Sequence, residues 1–307
     1  MKRSAALPAL FCACVAQPVL TEPVLAQTVQ DGFYTNGYAE LGHFSTSGNG
    51  ETYGYTETTL GFSDAGSGFG VEFGVDALIT DTDDESAIYG ALVYQSSIGK
   101  LSFGVPRSAL DAYLQNVPTP GGLIILKLGQ TGSVKRSFVT TSYLLGDDEV
   151  PVGLRYDGTF GATNVGASYQ KFDDLDVYDL AANYRIGETL LTGALEHVSS
   201  GSQSETRYFL GVESKFGKVT AGMLYSGNVA FNNETALHAY AKYKPLDELE
   251  LTATALSIDS GSGSDTLYGV SADYSFNQGL YVQAGVVDDL GSSSTDTFYN
   301  LTLGLRF

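Results

Sequence analysis

Apolar and polar residues alternate with a period of two through most of the chain from residue 33 onward, the pattern of strands with one apolar and one polar face. Phe69, Val71, Phe73, Val75, Ala77 and Ile79 stand against Gly70, Glu72, Gly74 and Asp76, and Val152, Leu154 and Tyr156 against Gly153, Arg155 and Asp157. At the C-terminus Tyr299, Leu301, Leu303, Leu305 and Phe307 share one face, opposite Asn300, Thr302, Gly304 and Arg306. Most strand charges fall on the polar face. An outward Arg or Lys at mid-membrane costs about 2–4 kcal/mol, so this sorting, with a terminal aromatic, suits a transmembrane antiparallel β-barrel with a wet interior.

The pattern predicts sixteen strands, at 33–44, 52–63, 69–80, 86–97, 100–105, 150–159, 161–172, 176–186, 189–198, 205–216, 217–227, 234–244, 248–258, 265–275, 279–288 and 296–307. Joins alternate between tight, Gly/Asp/Asn-rich turns such as Phe216-Gly217-Lys218 and longer polar stretches such as Asp259 to Ser264. The first kind suits periplasmic hairpins and the second external loops. Pro106, Pro118, Pro120, Pro151 and Pro245 lie in connections or at a strand's start, where a missing N–H breaks no ladder.

Lys2 and Arg3, the apolar stretch Ala5 to Val15 and the tripeptide Val24-Leu25-Ala26 read as a secretory signal peptide over 1–26, leaving a barrel domain of 27–307. Cys12 and Cys14 both fall in the removed segment, so disulfide, metal-thiolate and cysteine-nucleophile chemistry lapse. Without Lys2, Arg3 and Glu22 the charge becomes −20, against −19 for the whole chain. That surplus argues against nucleic acid, whose binding needs clustered positive charge. Tyr and Phe are abundant (20 and 16), with 37 Gly and no Trp, which favours strands and turns.

One gap breaks the alternation, residues 106–149. Two further strands near 123–128 and 134–143 would keep parity at eighteen. The favoured expectation is a long functional loop turned into the lumen as a constriction.

With Gly37-Tyr38-Ala39-Glu40-Leu41-Gly42 near the start, Val152-Gly153-Leu154-Arg155-Tyr156-Asp157-Gly158 after the long gap, and Arg306-Phe307 at the end, the chain resembles the general diffusion porins of Gram-negative bacteria. The likeness is strongest to the sixteen-stranded alphaproteobacterial (Rhodobacter-type) porins. The resemblance implies an outer-membrane homotrimer set in lipid and lipopolysaccharide, a third external loop folded into the pore, passage of small hydrophilic solutes, and Phe307 as an assembly signal.

Period-two placement puts Glu40, Glu57, Glu72 and Asp76 on the inner wall near mid-barrel, an acidic face. The long loop carries Arg107, Lys127, Lys135 and Arg136 as facing cations, against only Asp111 before its acidic end, reversing the basic wall and acidic loop that the family more often shows. Arg155, Arg185 and Arg207 fall on the polar face farther round. The acidic surplus predicts mild cation preference. Alternatives are a solute-selective channel for sugar or anions, for which Tyr53, Tyr55, Tyr240 and Tyr281 come from scattered strands, and a non-conducting adhesive or structural barrel. No HExxH, GxSxG or phosphate-loop pattern is present in 27–307, so no enzyme is expected. His43 and His197 have outward parity and fit interfacial girdles; His238 points inward. No cofactor is required. Asp81, Asp83 and Asp84 are weak Ca²⁺ candidates in an external loop.

Overall fold

A computed structural model describes residues 31–307 except 47–49, 65, 83, 115–116, 128–131, 146–148, 230, 277–278 and 290–296. The signal-peptide residues, Asp83, Asp147 and Asp148 therefore lie outside the described residues. Sixteen strands form one closed barrel: β1 (Gly32–Ser45), β2 (Gly50–Ser63), β3 (Phe69–Thr80), β4 (Asp84–Ser96), β5 (Gly99–Val105), β6 (Val152–Phe160), β7 (Thr163–Lys171), β8 (Asp176–Ile186), β9 (Thr189–Ser200), β10 (Gln203–Phe216), β11 (Val219–Val229), β12 (Glu234–Leu246), β13 (Leu249–Asp259), β14 (Ser264–Ser275), β15 (Leu280–Asp289) and β16 (Phe298–Arg306). Each pairs antiparallel with its neighbours in sequence, and β1 pairs with β16 from Tyr38 opposite Arg306 to Ser45 opposite Tyr299. Phe307 extends this seam, its N–H and C=O bonding Gly37 at 3.1 and 3.0 Å. Closure leaves no strand edge to be satisfied in lipid.

All sixteen predicted strands are present, with ends moved by a few residues. The described parts of 106–149 are not two additional strands. They contain helices Ala109–Leu114 and Phe138–Leu145 and 3₁₀ turns Pro120–Gly122 and Ile124–Lys127. Pro118 and Pro120 cannot donate to a ladder, and Gly121 and Gly122 take φ of 57° and 67°, which bends the chain out of any extended run.

The alternation sorts environments as expected. Leu41, Phe73, Ile88, Leu154, Leu210 and Leu303 are exposed, while Asp76, Asp179, Glu196, Arg207, His238 and Thr302 are buried. Aromatic pairs mark both rims of the outer face. Phe33–Phe62 and Phe69–Tyr94 (ring centroids 4.9 and 5.0 Å) lie by the tight turns, and Tyr169–Tyr178 and Tyr208–Tyr225 (5.0 and 6.0 Å) by the longer connections. His197 stands 6.2 Å from Tyr178 in the second group.

Inside, tyrosine rings lie over glycines directly opposite on the next strand. The register pairs Tyr34 with Gly61, Tyr53 with Gly42, Tyr240 with Gly222 and Tyr281 with Gly304. A Cβ at any of these glycines would enter the facing ring. The ring covers backbone that the glycine leaves bare, and the wall stays flush.

Candidate functional site

The segment between β5 and β6 runs inside the barrel, since it meets inward side chains on strands around most of the circumference. Its Pro-Gly-Gly turn rests on β14 and β15. A Cβ at Gly285 or Gly269 would collide with the Gly121 backbone, and the Asn300 side-chain amide donates to Gly122 O at 3.3 Å. This contact needs glycine on both partners: the turn for its left-handed φ, the wall for its closeness. Gly285→Val is therefore expected to unseat the turn without touching a charge. Single-channel recordings should show increased open-state noise, while Gly193→Val, where nothing lies within 4 Å of the added Cβ, should leave the trace unchanged.

A second anchor is buried against β7–β11. Arg207 Nε donates to Glu196 Oε1 at 2.9 Å, and its other nitrogens to the carbonyls of Ser133 and Arg136 at 3.2 and 3.1 Å. Glu196 accepts the Ser137 hydroxyl at 2.6 Å and the Phe138 N–H at 2.9 Å, thereby capping the helix Phe138–Leu145 from outside the segment. Asp179 accepts the hydroxyls of Ser108 and Ser168 at 2.6 and 2.7 Å, and Ser226 donates to Val134 O at 2.6 Å. Tyr143 donates to Ile88 O on β4 at 2.7 Å.

The third anchor joins the segment's cations to the wall of β1–β3. Arg107 Nη1 reaches both oxygens of Asp76 at 2.7 Å, with Nη2 on Thr58 O at 2.9 Å and the guanidinium 4.3 Å from the Tyr89 ring centre. Arg136 Nη2 lies 2.5 Å, and Lys127 Nζ 3.2 Å, from the same Glu57 oxygen. Lys127 Nζ also sits over the rings of Tyr38 and Tyr55, 4.3 and 4.8 Å from their centres. Burial, then Arg136 and Lys135, lower its pKa, whereas Glu57 and the ring faces favour the charged form. The acidic wall and the basic segment, expected to face each other, are thus in direct contact here as ion pairs.

The remaining candidates are distributed. Asp111 accepts the Ser137 N–H at 2.6 Å and the Thr140 hydroxyl; burial raises its pKa, with Arg136 acting in opposition. Lys135 donates to Val117 O and Thr119 Oγ1 at 2.6 and 3.0 Å. Glu40 accepts the Tyr281 hydroxyl at 2.6 Å. Glu72 lies nearer the tight turns than mid-barrel, held by Lys100 at 2.8 Å and Tyr34 at 2.5 Å. Arg155 pairs with Asp157 at 2.7 Å and also donates to the carbonyls of Arg107 and Ser108. Arg185 sits near the tight-turn end of β8. In the external loop, Asp81 accepts the Thr52 N–H at 3.0 Å; among the described residues no three Asp, Glu or His side chains gather to hold a metal.

Sequence reasoning missed the partners Tyr34, Tyr38, Ser108 and Ser137, and treated Tyr53, Tyr55 and Tyr281 as scattered. The closing seam makes β2, β1, β16 and β15 consecutive, so these tyrosines share one stretch of wall. The signal available was parity: each has an inward glycine as its directly paired neighbour or lies two residues from one that does.

Comparison with known proteins gives the same architecture. Solved structures of engineered variants of the porin of Rhodopseudomonas blastica superpose on the chain. A five-substitution variant has a TM-score of 0.67 at 17% identity, and a triple variant 0.66 at 17%; each match covers 90% of this chain and 100% of the other. No curated protein matches. The family model described as Gram-negative porin matches residues 9–294. With nearly its whole length matched by that model, and a closed barrel to accommodate it, the chain belongs to the Gram-negative porin family.

Proposed function

We propose that this integral outer-membrane protein works as a homotrimeric, water-filled diffusion channel for ions and small hydrophilic solutes, with mild cation preference and with residues 106–149 as its constriction. Membership of the porin family supports the passive channel; no catalytic role is proposed. The observation that carries the constriction is the inner segment, fastened at three places on the wall (Asp76 with Glu57, Glu196 with Asp179, and Gly285). Cation preference is supported by the acidic surplus of the chain and by carboxylates, Glu40 among them, along the β1–β3 wall. Trimeric assembly is supported by the family resemblance. Reconstitution in a planar bilayer under a salt gradient tests the proposal together. Conductance steps in groups of three with a cation-biased reversal potential are expected; silence would sink the channel, and anion bias the selectivity.

Lys135 adds a pH dependence. Burial, then Arg136 and Lys242, lower its pKa to about 7, with Glu57 acting in opposition. Below that value Lys135 gains a positive charge within the inner segment, so cation preference should weaken as pH falls from 8 to 6. Reversal potentials across that range should show the change in the native protein and lose it in Lys135→Met.

A further inference from the structure

Lys127 is held in a manner that resembles a bound ligand. Its ammonium faces two aromatic rings, at 4.3 Å for Tyr38 and 4.8 Å for Tyr55, and a carboxylate oxygen of Glu57 at 3.2 Å. Both tyrosine hydroxyls donate to that same oxygen, Tyr38 at 3.4 Å and Tyr55 at 3.2 Å, which orients carboxylate and rings as one unit. The rings themselves stand 5.7 Å apart on adjacent strands β1 and β2. Two π faces and a carboxylate around a single nitrogen form an arrangement that recognises ammonium ions. All three groups belong to rigid strands, whereas the ammonium comes from a 3₁₀ turn of the inner segment, Ile124–Lys127. The carboxylate keeps access to the lumen, with 31% of the Glu57 side chain and 19% of the Lys127 side chain exposed.

We propose that Tyr38, Tyr55 and Glu57 form a binding site for primary alkylammonium ions on the channel wall, occupied in this state by the protein's own Lys127. The site's chemistry does not depend on how Lys127 is delivered, so a soluble ammonium fits wherever that side chain is removed or displaced. Arg136 reaches the same carboxylate at 2.5 Å and donates to the Tyr55 hydroxyl at 3.4 Å, at the edge of the ring, while Lys127 lies over its face. The inference rests on the channel reading only for the route by which a cation arrives; the site itself is testable in detergent.

The test is chemical rescue. Lys127→Ala protein in micelles is titrated with n-butylammonium chloride, and its thermal midpoint followed against sodium chloride and n-butanol at equal concentrations. Binding to the folded state alone raises the midpoint with the logarithm of ligand concentration once that exceeds Kd, and a rise of about 2–4 °C is expected for n-butylammonium only. Native protein, its site filled, should respond less. Lys127→Ala combined with Tyr38→Leu, which retains the carboxylate and removes one ring, should lose the response, as should Lys127→Ala combined with Glu57→Gln. A response equal in all variants, or none in Lys127→Ala, overturns the site. Lys127→Met, which keeps most of the stem, replaces Lys127→Ala should the latter fail to assemble. Conductance of the native protein is measured separately, so a silent bilayer counts against the channel and an unresponsive midpoint against the ammonium site.

Discussion

Arg207→Ala should produce the largest loss of stability of any single truncation in the lumen, about 3–5 kcal/mol, the range for removing one partner of a buried ion pair. Arg207 and Glu196 are 1% and 0% exposed, so Glu196 would be left as an uncompensated buried carboxylate. The carbonyls of Ser133 and Arg136 would lose their donor in the same step. Urea titration of the protein in lipid vesicles measures the loss. Replacing both partners, Arg207→Met with Glu196→Gln, should restore much of it, because an apolar stem and a neutral amide leave no stranded charge. Glutamine still accepts from Ser137 and Phe138, so the helix Phe138–Leu145 keeps a cap in the double variant. An unchanged transition in Arg207→Ala would show that this anchor does not hold the segment.

Glu57→Gln should produce the largest change in selectivity. Glu57 is the common partner of Arg136 and Lys127 and faces the lumen with nearly a third of its side chain exposed. Removing its charge leaves two cations at that point of the wall. A unit charge 5 Å from a permeating ion in water contributes about 0.8 kcal/mol, roughly a fourfold change in local concentration. Cations are depleted and anions enriched by that same factor, so the cation-to-anion permeability ratio should fall by roughly sixteenfold at low salt. Screening shortens this reach to about 3 Å at 1 M, so the native and variant proteins should converge there. Reversal potentials at 0.01 M and 1 M supply both values; an unaltered ratio at low salt would place the selective step elsewhere.

The strands were legible because alternation is a local property: each residue's face follows from its neighbours, and a misplaced charge toward lipid is costly. Phe69 to Ile79 could be assigned without knowledge of any other strand. The charged residues of the inner wall were legible for the same reason, yet their partners were not. Whether Arg136 meets Glu57, Asp76 or Glu196 depends on the path of residues 106–149, which have no period to follow, and Pro118, Pro120, Gly121 and Gly122 indicate only where a strand cannot be. The glycine contact between Gly121 and Gly285 involves no side chain at all, so composition and charge carry no trace of it. Tyr281 and Glu40 illustrate a third limit. They look unrelated at a separation of 241 residues and become neighbours only through the pairing of β1 with β16.

That seam also orders the protein's biogenesis. Tyr281 with Glu40, Tyr53 with Thr302, and Phe307 with Gly37 all join the first strands to the last. Each spans more than 240 residues, so each carries the closure entropy of nearly the whole barrel. The stretch of wall that carries Glu40, Tyr53 and Tyr281 is therefore complete only when the barrel shuts. Until the seam forms, Tyr281 and Thr302 have no partner across it, so the wall around Glu40 exists as a surface only in the closed barrel.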